Sequence, residues 1–234
     1  MYSLYTLIYT AFTFDVNTVY KQSEIEYQSI MISAKKGYHH GELREALLQT
    51  AESLLEEDGP SGLSLRKVGR QLGVTPGASY RHFEDKDALL AALATDGFRR
   101  LRAAVLGDQA GSADGEQRLR RAGIGYLTFA SNHPELFRLM FGWMPARDVP
   151  ELCEAGDAAF AAFEGILKEC DEEGLLSRSV RDAGLLTWSA VHGAAFLAID
   201  DRLNLGEPAP NAECVLNLLH EGLWSGIGRR ADKN

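Results

Sequence analysis

Cysteine is scarce in this chain. Cys153, Cys170 and Cys214 are the only three in 234 residues, widely separated and without a Cys-x-x-Cys pair. An odd, scattered set excludes a disulfide framework and a zinc-ribbon spacing. Small thiols in a reducing cytosol are expected instead. No metal or other cofactor is expected, because His192 has no partner at ligand spacing. Catalytic signatures are missing too. There is no Gly-x-Ser-x-Gly, His-Glu-x-x-His, phosphate loop or dinucleotide fingerprint. Glu172 with Glu173, and Asp200 with Asp201, are adjacent and therefore diverge on a helix. The chain does not read as an enzyme.

Long hydrophobic runs are also lacking. Residues 1–14 carry no charge, but they fall short of the roughly 20 residues a spanning helix needs and lack a signal peptide's basic start. No membrane partner is expected, and the expected compartment is the cytoplasm. After residue 34 there is no strand-period alternation, hairpin signal or fixed repeat, so the fold class is all-α. Positive charge is in deficit: 24 Lys and Arg stand against 33 Asp and Glu, a formal charge of −9. The deficit is uneven. Residues 35–102 hold 11 basic and 10 acidic side chains, whereas residues 103–234 hold 12 and 20. The acid is concentrated away from the only stretch that could meet a polyanion.

That stretch is residues 63–90. Leu65, Val68 and Leu72 mark one face of a short helix, which Ser64 can cap and Gly73 can end. Thr75 can cap a second helix, with Pro76 at its first position. This second helix, read as residues 77–83, has a small-residue front of Gly77, Ala78 and Ser79. Tyr80, Arg81, His82 and Phe83 follow. A small front lets a backbone approach base edges in a major groove, while polar and basic neighbours reach phosphates. An αα-corner inside a plain bundle would carry similar spacing. Asp85 and Asp87 open a long helix, residues 85–106, carrying Leu89, Leu90, Leu93, Phe98, Leu101 and Val105. Before it, residues 42–58 form a buttressing helix closed by Gly59 and Pro60.

Tyr38, His39, His40 and Gly41, then Leu65 to Gly69, Gly73 to Phe83, and Lys86 to Leu90 together resemble the DNA-binding domain of the TetR family of transcriptional regulators. Trp188, His192 and Gly193 are similar to a Trp-x-x-x-His-Gly signature of one subgroup. The resemblance implies an N-terminal three-helix helix-turn-helix domain and a C-terminal helical bundle for ligand binding and dimerisation. The expected division is residues 1–34 as a flexible extension, 35–84 as the helix-turn-helix domain, 85–106 as a connecting helix, and 107–234 as the ligand and dimer domain. A mis-assigned start is the other form of that reading of residues 1–34, and a tail packed on the bundle is the alternative. The resemblance implies DNA contacts from Tyr38, His39, Ser64, Arg66, Thr75, Pro76, Gly77, Ala78, Tyr80, Arg81, His82 and Lys86.

Aromatic and Met side chains gather in the C-terminal part. Tyr126, Phe129, Phe137, Met140, Trp143, Phe163, Trp188 and His192 form the candidate pocket for a small, mostly apolar ligand. An aromatic stripe at helical spacing would equally serve as plain core. The last two helices, about residues 183–226, are apolar on more than one face. That pattern suits a two-fold interface between copies, or burial within one chain. The reading is a homodimeric, ligand-responsive regulator, with repression from a pseudo-palindromic double-stranded DNA operator as the expected output. The alternative is a helical small-molecule binding protein with a vestigial helix-turn-helix.

Overall fold

The structure is a computed structural model, and it describes residues 40–107, 114–142, 148–203 and 212–228. Tyr38, His39 and Trp143 lie outside these residues, as does the segment 1–34. Among the described residues there are nine helices: α1 His40–Gly62, α2 Leu65–Gln71, α3 Pro76–Tyr80, α4 Lys86–Leu106, α5 Gly115–Asn132, α6 Pro134–Gly142, α7 Pro150–Glu172, α8 Val180–Ile199 and α9 Ala212–Ile227. One isolated bridge, Leu176 to Gly228, is the only strand-like pairing in that set.

Most helix limits follow from local chemistry. Gly59 breaks α1 with φ of 68°, and a short turn from Pro60 completes the span. Ser64 caps α2 by accepting from the Lys67 amide. Gly73, with φ of 74°, turns the chain in the left-handed region that glycine enters without a Cβ penalty. Asp85 caps α4 by accepting from the Ala88 amide at 2.7 Å. Thr75 departs from expectation, because its side chain makes no capping bond. The Ala78 amide instead donates to the Thr75 backbone carbonyl at 2.9 Å, so this five-residue helix closes on its own backbone. It also ends at Tyr80, three residues earlier than the periodicity suggested.

Helices α1 to α3 and the first half of α4 enclose a small core of Leu47, Leu54, Leu55, Leu65, Val68, Leu72, Phe83 and Leu89. The same cluster continues without a break through Leu101, Tyr126, Phe137, Leu167 and Ala195 to Ile227. Helix α4 is the shared spine. Its close approach to α5 needs Gly125, where a Cβ would lie 2.1 Å from the Ala104 carbonyl oxygen. By length and apolar composition alone, α8 could cross a membrane. Here it packs against α5, α7 and α9 and leaves one apolar face uncovered.

Candidate functional site

Helix α3 is held against α2 by a contact between small residues. Ser79 is fully buried, and a Cβ on Gly69 would fall 2.5 Å from its Oγ. The Val74 amide donates to the Gly69 carbonyl at 2.9 Å, tightening the turn between α2 and α3. Ser79 therefore belongs to the joint between the helices. With Ser79 turned inward, the opposite face of α3 must look outward. Thr75, Pro76, Gly77, Tyr80 and Arg81 are exposed, while Ala78, His82 and Lys86 are half-buried beside them.

Ser64 and Arg66 extend this face onto α2, also exposed. A shallow groove between the two helices is lined by Ser64, Arg66, Lys67, Arg70, Val74 and Pro76. Arg66, Lys67 and Arg70 put three cations on its rim. Lys67 also pairs with Asp58. Of the twelve residues named from sequence, seven are thus exposed and three half-buried; the other two, Tyr38 and His39, lie outside the described residues.

The second site is a cavity of about 310 Å³ in the C-terminal domain. Its walls come from α4 (Phe98, Leu101, Val105), α5 (Leu119, Arg120, Tyr126), α7 (Phe160, Phe163), α8 (Thr187, Trp188, Val191) and α9 (Leu219, His220, Leu223, Trp224), with Phe141 from α6. Of the residues named from sequence, Tyr126, Phe163 and Trp188 line it. Phe129, Phe137 and Met140 do not. They are buried in the helix-packing core, Phe137 completely, where helical spacing alone cannot separate wall from filling. Reading from sequence left α9 between a dimer face and burial within one chain, and named none of its residues for the cavity that it lines. The signal was its apolar character on more than one face.

His192 stands directly behind the wall. Its ring packs within 4.7 Å of Phe141 and 5.4 Å of Trp188, centroid to centroid. The Tyr126 hydroxyl lies 2.7 Å from His192 Nδ1, and it is also hydrogen-bonded by Trp188. An indole can only donate, so the phenolic oxygen accepts from Trp188 and keeps its proton for Nδ1. Burial pushes the Tyr126 phenol above its ordinary range, while the Trp188 bond pulls the other way. Burial also lowers the His192 pKa, favouring the neutral ring. Trp188 and His192, one turn apart on α8, both meet the same buried hydroxyl. Gly193 points elsewhere, onto the exposed face of α8, with no atom within 4 Å of where a Cβ would be.

A polar joint links the two sites. Glu56 of α1 accepts from the Glu135 and Leu136 amides of α6 at 3.0 Å each. A carboxylate there meets both orphan N–H groups and the helix dipole. Beside it, Arg100 of α4 donates to Glu52 of α1 at 2.7 Å and reaches His133 at 2.9 Å. Phe137 and Phe141, on the same α6, pack against His192. A short α6 therefore touches α1 at one end and the cavity wall at the other.

Comparison with known proteins agrees with this layout. Residues 47–93 match the family described as bacterial regulatory proteins, tetR family, and residues 119–221 match the tetracyclin repressor-like C-terminal domain. A protein of unknown function from Rhodococcus sp. RHA1 is 34% identical, with a TM-score of 0.71 over 82% of this chain and 98% of that one. The TetR family transcriptional regulator PfmR from Thermus thermophilus superposes with a TM-score of 0.60 at 22% identity, over 78% and 99% of the two chains. A bacterial regulatory protein of the tetR family from Rhodococcus RHA1 gives 0.63 at 16% identity, over 80% and 98%. With its helix-turn-helix and its helical domain both matched in order, this chain belongs to the TetR family of DNA-binding transcriptional regulators.

Proposed function

We propose that this regulator acts as a cytoplasmic homodimer that represses from a pseudo-palindromic operator and leaves it when a small, mostly apolar molecule fills the cavity. The observation that carries the reading is the continuity of α4. Its first residue, Lys86, belongs to the reading surface, and Phe98, Leu101 and Val105 farther along line the cavity. Occupancy that shifts those side chains shifts the helix on which the reader is mounted. A ligand that binds the shifted form more tightly then moves the population away from DNA.

Base contacts come from Thr75, Pro76, Gly77 and Ala78, largely apolar or through the backbone. Phosphates are met by Ser64, Arg66, Tyr80, His82 and Lys86, with Arg81 at the margin. The second copy packs on a stripe of α8 and α9. Leu185 is 63% exposed, Leu197 45% and Leu218 67%. Gly193 and Gly222, on the same stripes, leave room for a close helix approach. A two-fold arrangement of the C-terminal domains puts two readers on successive major grooves, about 34–36 Å apart.

Selection of bound fragments from random-sequence DNA tests the proposal. Recovery of an inverted repeat with half-sites one helical turn apart, or a multiple of it, is expected. Recovery of a single half-site bound by a monomer would sink the dimeric reading.

A further inference from the structure

Among the described residues that line the cavity, only Phe160 of α7 and Trp188 of α8 are exposed, at 49% and 36%. The others are buried or half-buried. The mouth that these two mark lies between α7 and α8. Their rings meet across it, with centroids 5.8 Å apart and planes at 80°, an edge-to-face pair.

The two rings are held differently. Trp188 donates its indole N–H to the buried Tyr126 hydroxyl and packs 5.4 Å from His192. Phe160 meets Trp188 and, at 6.2 Å, Phe163, and it has no polar group to anchor it. Gly156 stands one turn earlier on α7 and also lines the cavity. A helical side chain leans over the turn before it, so the missing side chain at Gly156 leaves the Phe160 ring room to swing. A molecule entering here must part the pair. Moving Phe160 costs only ring contacts, whereas moving Trp188 also breaks a buried hydrogen bond. Resting on the proposal that this cavity is the effector site, we propose that Phe160 and Trp188 form an aromatic gate. Phe160 swings, Trp188 stays, and the ligand enters and leaves between α7 and α8.

A gate that recloses behind its ligand slows association and dissociation together, by the fraction of time it stands open. A plain wall contact acts mainly on dissociation. The full chain is mixed in stopped flow with N-phenyl-1-naphthylamine, a neutral apolar dye, and energy transfer from Trp188 and Trp224 on the cavity wall reports occupancy. Phe160→Ala, at an exposed position and confirmed folded by circular dichroism, is expected to raise the association rate about 2- to 10-fold, the scale of one aromatic pair. Leu223→Ala, at a half-buried wall position on α9, is expected to speed dissociation alone. An unchanged association rate in Phe160→Ala, or an equal rise in Leu223→Ala, overturns the gate while leaving the cavity a ligand site. A wild-type chain that gives no dye signal, and whose Trp fluorescence 1-decanol leaves unmoved, overturns both readings.

Discussion

Removal of the Glu56 carboxylate is the sharpest perturbation of the joint between domains. In Glu56→Ala, the Glu135 and Leu136 amides lose their acceptor, and α6 loses a negative charge at its N-terminus. Hydrogen bonds to a charged group contribute about 1.5–3 kcal/mol each before offsets. Two offsets apply here. Burial is the leading influence on Glu56 and raises its pKa, ahead of the two amides that lower it, so ionisation itself is costly in the fold. Water can also reach the first turn of a helix whose cap is half-exposed. The net loss is therefore about 2 kcal/mol, nearer one such bond than two. For a chain of this length that lowers Tm by about 4–8 °C. Glu56→Gln keeps one carbonyl acceptor but turns an NH₂ toward the other amide, and about half the loss is expected. Thermal unfolding followed by circular dichroism gives the numbers, and Trp fluorescence follows the C-terminal domain separately. The carboxylate joint would be refuted if Glu56→Ala changed stability by less than about 0.5 kcal/mol, the scale of an ordinary surface substitution.

Three further outcomes are expected. Gly69→Ala forces a methyl to 2.5 Å from Ser79 Oγ, so α2 and α3 separate; operator affinity falls at least tenfold with a stability loss of about 1–3 kcal/mol, measured by anisotropy and denaturant melts. Leu185→Asp with Leu218→Asp, both at exposed positions, converts a dimer into a folded monomer by light scattering and abolishes high-affinity operator binding. At Glu52, burial raises the pKa but is outweighed by His133 and Arg100, so the net shift is downward. A carboxylate with a lowered pKa stabilises the fold above its ordinary value of 4.5, and that stability is lost as pH falls through the lowered value. Glu52→Gln should therefore flatten the acid limb of the stability profile below pH 4.5 and lower the plateau above it.

Local rules made most of the helices legible. Ser64, Gly73 and Asp85 are residue types that start or stop helices for reasons contained within one turn, and each does so here. The small front of α3 did not by itself separate a DNA-reading helix from an αα-corner of a plain bundle. Thr75 shows the limit of that logic: in a helix of five residues the backbone carbonyl took the amide that a side-chain cap would have met. Ser79 shows another, since which of three small residues turns inward depends on Gly69, ten positions away.

The cavity was legible only in part. Its aromatic content was plain, but wall and core share one periodicity, and only tertiary packing separates Phe163 from Phe137. The joint at Glu56 could not be read from sequence, because its partners are backbone amides nearly 80 residues away. Trp188 and His192 carried the strongest hint, and their shared hydroxyl on Tyr126 supplies its physical reason.

Salt-titrated binding to DNA from upstream of the protein's own gene, with Tyr80→Phe/Lys86→Ala alongside, tests the central claim most directly. Saturable, sequence-selective binding is expected, with log affinity falling linearly against log salt and the double variant shallower by about 1. Absence of binding at low salt by a folded dimer, or an unchanged slope in the variant, would contradict a DNA-reading surface built on α3 and the start of α4.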